Sequence, residues 1–169
     1  MINWVYFPKS DKPTNLIREI VKIFNDNFDK IDSTRHKLKS DEVLSNVSKG
    51  LEKIGFQVEK GKKKKEKIPV PVLFGQNGVV EKYFEADAFF EREGFVLEVE
   101  AGRAFLNNQF LKDLFQACMM HNVEYLGIAV RMIYLDKNKD YEKVVQYFDT
   151  LYASNRLQLP LKGLLVIGY

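Results

Sequence analysis

The fold is decided by Phe84-Glu85-Ala86-Asp87-Ala88-Phe89-Phe90-Glu91-Arg92-Glu93-Gly94-Phe95-Val96-Leu97-Glu98-Val99-Glu100-Ala101-Gly102. Period-two patterning makes it a β-hairpin. Phe84, Ala86, Ala88 and Phe90 alternate on one face of the first arm, with Glu85 and Asp87 on the other. Glu91 to Gly94 supply a polar turn that ends in glycine. In the second arm Phe95, Leu97 and Val99 share a face, and Val96, Glu98 and Glu100 share the opposite one. The strand repeat sets Glu98 and Glu100 roughly 6–7 Å apart. Pairing of the arms brings Asp87 beside them. Three carboxylates on a mostly apolar sheet are costly unless a cation or water neutralises them. The competing reading is a solvated, inert sheet face. Glutamates at i and i+2 repel each other and fit strands poorly, so a functional cause is the more economical.

On the N-terminal side, Trp4-Val5-Tyr6-Phe7 closed by Pro8 is a strand or an arm lying on the body. Thr14 caps a helix to about Phe28, with Leu16, Ile17, Ile20, Phe24 and Phe28 as its stripe. Ser40 caps a second helix, about Asp41 to Ile54, with Val43, Val47, Leu51 and Ile54 inward and Gly55 ending it. Phe56 to Glu59 read as a strand. Ile68 to Leu73 are extended, but Pro69 and Pro71 restrict them to an edge or irregular strand. Gly75 to Gly78 form a turn, and Val79 begins the arm that carries Asp87.

On the C-terminal side, a helix runs from about Asn107 to His121 with Phe110, Leu111, Leu114, Phe115 and Cys118 inward. Tyr125 to Tyr134 form a long strand, apolar except for Arg131, as a central strand is. Asp140 to Tyr152 make another helix through Tyr141, Val144, Val145, Phe148 and Leu151. Leu164 to Ile167 make the last strand. From Ser40 the order is helix, three strands, helix, strand, helix, strand: an α/β fold with a mixed central sheet flanked by helices. The 169 residues read as one domain. Residues 1–39 form an N-terminal arm and extra helix, 40–134 a core, and 135–169 a C-terminal helix and strand.

Composition removes several function classes. One cysteine, Cys118, excludes a disulfide framework, and His36 and His121 are the only histidines, neither at zinc-ligand spacing. Cys118 falls on the apolar side of its helix and reads as core. There is no phosphate-binding glycine loop and no serine in a nucleophile elbow. No basic leader or membrane-length apolar run occurs, so the expected location is cytoplasmic, with no membrane partner and no small-molecule cofactor. Lys60 to Lys67 hold six lysines against one glutamate, a surplus larger than the chain's whole net charge of +3. Charge alone makes this a solvated loop, though such a loop also attracts a polyanion. The carboxylates are oxygen-only ligands, which suit hard cations such as Mg²⁺, Mn²⁺ and Ca²⁺.

Asp87, a turn, Glu98-x-Glu100 and a following helix resemble the PD-(D/E)XK nuclease superfamily, of restriction-endonuclease-like fold. The run Leu97 to Arg103, followed by Asn107 to Phe115 with its aromatic-x-x-D-L pattern, is similar to the BamHI/BglII branch. There E-x-E or E-x-Q replaces E-x-K. The resemblance implies an α-β-β-β-α-β core over roughly Ser40 to Tyr134. It implies a Mg²⁺-dependent endonuclease hydrolysing DNA phosphodiester bonds, with Mn²⁺ able to substitute. Asp87 and Glu98 would be the metal ligands, Glu100 would stand in the place of lysine, and Glu42 would match an acid from the first core helix. Here Ala86, not proline, precedes Asp87, and Arg103 follows Gly102 where relatives have Asn or Lys.

In that setting Lys62, Lys63, Lys64 and Lys65 become a candidate phosphate clamp. Arg103 either contacts the scissile phosphate or caps the hairpin. Gln109 and Lys112 either face DNA or are solvated helix surface. Arg131 either partners an acid of the site or pairs elsewhere. Trp4, Tyr6 and Phe7 either stack on bases or pack on the domain, packing being the better reading. The partner would be DNA, and cutting both strands would call for a homodimer, with the helix Leu16 to Phe28 as its candidate interface. The alternative function is a catalytically inactive DNA-binding or protein-interaction module on the same fold, favoured by the lack of lysine at position 100.

Overall fold

The computed structural model describes the chain except residues 62, 103, 106 and 134–137, and of Lys64 only the backbone. A mixed six-stranded sheet forms its centre. The strands are β1 (Asn3–Phe7), β2 (Gln57–Val58), β5 (Ala88–Phe90), β6 (Phe95–Glu100), β7 (Tyr125–Val130) and β8 (Gly163–Gly168), in the order β1-β8-β7-β6-β5-β2. β6, β7 and β8 are parallel, and the remaining pairs antiparallel. The parallel strands β7 and β8 are almost wholly buried. Parallel strands covered on both faces need such unbroken apolar runs.

One face is covered by α1 (Asn15–Asp26), the short α2 (Phe28–Ile31) and α3 (Ser40–Ile54). The other is covered by α4 (Gln109–Met119) and α5 (Asp140–Ser154). Strand residues divide between these faces by parity. Phe95, Leu97 and Val99 face the first helix layer, and Val96 faces the second. Residues from all three parts of the chain therefore meet in one sheet, β1 zipping onto β8 from Asn3 opposite Gly168 to Phe7 opposite Leu164. Tyr6 and Phe7 are buried and Trp4 packs against the core, which is the packing reading. No helix among the described residues is long and apolar enough to cross a membrane.

Several expectations hold in detail. The Thr14 hydroxyl accepts from Ile17 N at 3.3 Å and starts α1. Gly55, at φ +114°, ends α3 in the left-handed conformation that spares glycine a Cβ clash. The prolines of β3 (Ile68–Phe74) are carried outside the main sheet, in a two-stranded ribbon with β4 (Val80–Ala86) whose register slips between Pro71 and Phe74.

Other expectations are corrected. The first arm is not one strand. β4 belongs to the ribbon, β5 to the main sheet, and the chain bends at Asp87 between them. Ala86 consequently faces the α4 layer and Ala88 the α3 layer, so the expected single face from Phe84 to Phe90 switches sides. The N-cap of α3 is Lys39 rather than Ser40. In α4 the inward residues are Phe110, Asp113, Leu114 and Ala117, while Phe115 is 54% exposed. β7 ends at Val130, short of the expected Tyr134, and Tyr134 itself lies outside the described residues. The apolar stripe of α1 is not free for a dimer. Ile17, Ile20 and Phe24 are at most 1% exposed within the chain's own core, each worth about 1.5–3 kcal/mol there.

Candidate active site

The bend at Asp87 builds the site. Ala86 pairs with Ile68 in the ribbon, while Ala88 pairs with both Leu97 and Val58 in the main sheet. Between them the Asp87 carbonyl accepts from Glu59 N, and its Oδ2 accepts from Val99 N, both at 2.8 Å. A carboxylate thus serves β6 as ladder acceptor at the point where the strand pairing lapses. That contact fixes the Asp87 side chain beside Glu98 and Glu100, as the hairpin reading expects.

Glu98 and Glu100 stand on the β6 face that α4 covers. The α4 stripe places Asp113 over them, only 5% exposed, with Oδ2 buried and lacking a hydrogen-bond partner. Glu100 and Asp113 are close enough for one carboxyl to donate to the other. Four acids from the bend, β6 and α4 therefore converge. Lys67 sits at one side, 2.7 Å from Glu59 and 4.0 Å from Glu85. Lys112, exposed on α4, is near enough for its charge to act on Glu98, Glu100 and Asp113. A groove of about 490 Å³ between β4 and α4, lined by Glu85, Lys112 and Gln116 among others, flanks the cluster.

Burial pushes all four carboxyls up, and repulsion from neighbouring acids adds to it for Asp87, Glu98 and Glu100. Asp87 rises to about 7, chiefly through burial, with the Val99 N–H bond opposing and Glu59 and Asp113 adding repulsion. Glu98 is raised well above its usual range, through burial and then the charges of Asp87, Asp113 and Glu100. Glu100 is raised by burial and by Asp113. Asp113 is raised by burial, against the pull of Lys112 and the hydrogen bond from Glu100. Near neutral pH the cluster binds protons, or something else positive.

The donor set is oxygen only and suits a hard divalent cation. Among the described residues, however, no group of three or more His, Cys, Asp or Glu side chains is placed so that it could hold a metal ion.

The expected residues separate into groups. Asp87, Glu98 and Glu100 come together. Glu42 is exposed and caps its own helix, its Oε2 accepting from Lys39 N at 2.7 Å. Lys63 and Lys65 are exposed on a short turn, where Glu66 Oε2 accepts from Lys63 N. Lys62 and Arg103, and the side chain of Lys64, lie outside the described residues. Gln109 is half-buried at the start of α4. Arg131 donates to the Leu38 carbonyl, and its charge acts on Asp140 and on the Tyr169 phenol. Cys118 packs against the core and burial pushes its thiol up, as a structural cysteine.

From the sequence Asp113 entered only as the acid of the aromatic-x-x-D-L pattern and Lys67 only as the end of the lysine run, and neither they nor Glu59 were assigned to the site. A signal for Asp113 existed in the spacing Phe110, Asp113, Leu114, Ala117, which is an i, i+3, i+4, i+7 helix stripe with an acid in it. Set against family models, curated proteins and solved structures, the chain matches none.

Proposed function

We propose that this chain is a divalent-cation-dependent phosphodiesterase acting on DNA, of the PD-(D/E)XK kind. The observation that carries the reading is the convergence of Asp87, Glu98, Glu100 and Asp113 in one half-buried site where burial and like charge hold protons on carboxyls. Without a ligand such a site only destabilises the fold. The order of elements adds support. α3, β2, β5, β6, α4 and β7 follow one another as α-β-β-β-α-β, with the β3–β4 ribbon inserted, and the four strands are neighbours in the sheet.

Asp87 and Glu98 hold Mg²⁺ or Mn²⁺ in this reading. When bound, the ion polarises the phosphoryl oxygen and lowers the pKa of a water. The Val99 N–H keeps Asp87 oriented for that task. Glu100 takes the place of lysine and accepts a hydrogen bond from the attacking water. Lys112, exposed beside Asp113, meets the phosphate, and Lys63 and Lys65 hold the backbone further along. The ribbon leaves the main sheet at Asp87, and a two-stranded ribbon is a shape the major groove of duplex DNA admits.

The test is cleavage of supercoiled plasmid with Mg²⁺ or Mn²⁺, beside Glu98→Ala. Cutting by the unaltered chain alone supports the reading, and cutting by both refutes it. A second reading, an inactive DNA-binding or protein-interaction module, is favoured by glutamate at position 100 and by the fact that no three His, Cys, Asp or Glu side chains among the described residues are placed to hold an ion. Binding of DNA without cutting of duplex, single-stranded or branched substrates would establish it.

A further inference from the structure

We infer that the free edge of β4 receives an extended segment of another protein, which adds a third strand to the β3–β4 ribbon. That segment carries a basic side chain opposite Glu85 and an acidic one opposite Lys82. The ribbon has two strands, so β4 is bordered by a strand on one side only. The groove of about 490 Å³ follows its other side, lined by the unbroken run Glu81 to Glu85, with Lys112 and Gln116 of α4 as the far wall. A strand shows only alternate residues on either face, so consecutive residues along one groove mark an edge.

The prolines of β3 fix which backbone groups point into that groove. Pro69 lies opposite Glu85, and Pro71 opposite Tyr83. Proline has no N–H to give, so these are the non-bonded pairs of the antiparallel ladder. The N–H and C=O groups of Tyr83 and Glu85 therefore point away from β3. Pro71 shows the same alternation on its own side, where its outward carbonyl accepts from His121 N at 2.7 Å. The edge of β3 is thus blunted by proline and met by the segment after α4. Among the described residues, by contrast, no loop or cap backbone hydrogen bond reaches Tyr83 or Glu85. Val80 and Tyr83, 43% and 39% exposed, add apolar surface beside the open edge. Free N–H and C=O groups in a row are a template for another strand.

The charges choose the occupant. A second copy of β4 fits poorly. Twofold pairing centred on Lys82 or Glu85 sets that charge against itself, and centred on Tyr83 it brings Glu81 to Glu85. Centred on Phe84, it runs into the buried Ala86. A phosphate backbone is also a poorer fit, because Glu81 and Glu85 stand along the strand against Lys82 alone. A strand with lysine or arginine opposite Glu85 and an acid opposite Lys82 meets complementary charge at both places, and Lys112 on the far wall favours that acid.

The test titrates the isotope-labelled full chain with two capped peptides of one composition. Their central runs, from N- to C-terminus, are lysine-valine-valine-glutamate and glutamate-valine-valine-lysine. The first should shift the amide signals of Tyr83 and Glu85 and bind on the order of 10-fold tighter than the second. Tyr83→Pro removes an N–H that the ribbon does not use, so it should keep the ribbon and weaken binding about 10-fold or more. Lys82→Glu with Glu85→Lys should exchange the preference between the peptides, and this pair serves where Tyr83→Pro does not fold. Binding of neither peptide, or equal binding of both, overturns the inference. A duplex oligonucleotide that shifts the same two amides while neither peptide does would give the edge to DNA. Self-association of the chain that Tyr83→Pro abolishes would give it to a second copy. Either result overturns the inference.

Discussion

Asp87 carries two loads that pull in opposite directions. Its Oδ2 completes the β6 ladder through Val99 N, and its charge is buried among other acids. The raised carboxyl fixes how stability varies with pH. In the unfolded chain these acids titrate near 4, and in the folded chain Asp87 titrates at about 7, with Glu98, Glu100 and Asp113 also raised. The folded state therefore binds more protons than the unfolded state between those values. The stabilisation is fully present below about pH 4 and is lost as pH rises through about 7. For the cation-free chain, thermal melting followed from pH 5 to 8 should give a falling midpoint from this cluster, and Mn²⁺ at pH 8 should restore it. Asp87→Asn keeps an acceptor for Val99 N and removes the charge, so it should melt higher than the unaltered chain at pH 8 without cation. On the proposed reading, Glu98→Ala should lower plasmid cleavage by about 10²–10³-fold or more while the fold is retained, since it would remove a group acting at the reacting phosphate. A cutting rate within a few-fold of the unaltered chain would remove Glu98 from the site.

The bend between β4 and β5 is what turns a plain hairpin into a site. A continuous arm would have paired Ala86 with β6, leaving Val99 N no use for a side-chain acceptor. Gly94 secures the other end of the hairpin. At φ +60° it sits where a Cβ would run into the Asn122 carbonyl. Gly94→Ala should cost about 1–3 kcal/mol by chemical denaturation, from positive φ and that contact together. Helix α3 offers a sharper test of role. Glu42 caps it through Lys39 N, and capping side chains are worth about 0.5–2 kcal/mol. Glu42→Ala should lower stability by that amount and leave plasmid cleavage unchanged. A loss of cutting with the fold intact would return Glu42 to the catalytic group.

The whole molecule concentrates its basic charge on one loop while its acids converge at one site. Lys63→Gln with Lys65→Gln should flatten the slope of log affinity for duplex DNA against log salt by about 1–2 units, as loss of one or two phosphate contacts does. An unaltered slope would leave the loop as solvated surface. Ile20→Ala should destabilise the chain by about 2–5 kcal/mol with no change in sedimentation, because Ile20 is wholly buried in its own core. Local periodicity by itself determined the α/β class, the helices α1, α3 and α5, the proline-limited strand β3, and the faces of β6. Those depend on neighbours three or four residues apart on a helix and two apart on a strand. It also marked Asp87, Glu98 and Glu100, since acids in an apolar hairpin are conspicuous at that range. Only the tertiary structure decided that the arm breaks at Asp87, and that Phe115 turns outward while Asp113 turns in. It also decided that α1 spends its apolar face on this chain rather than on a partner. Each of these depends on what packs across from a residue, and the covering of β6 by α4, ten and more residues along the chain, is set by the sheet's closure and not by any local pattern.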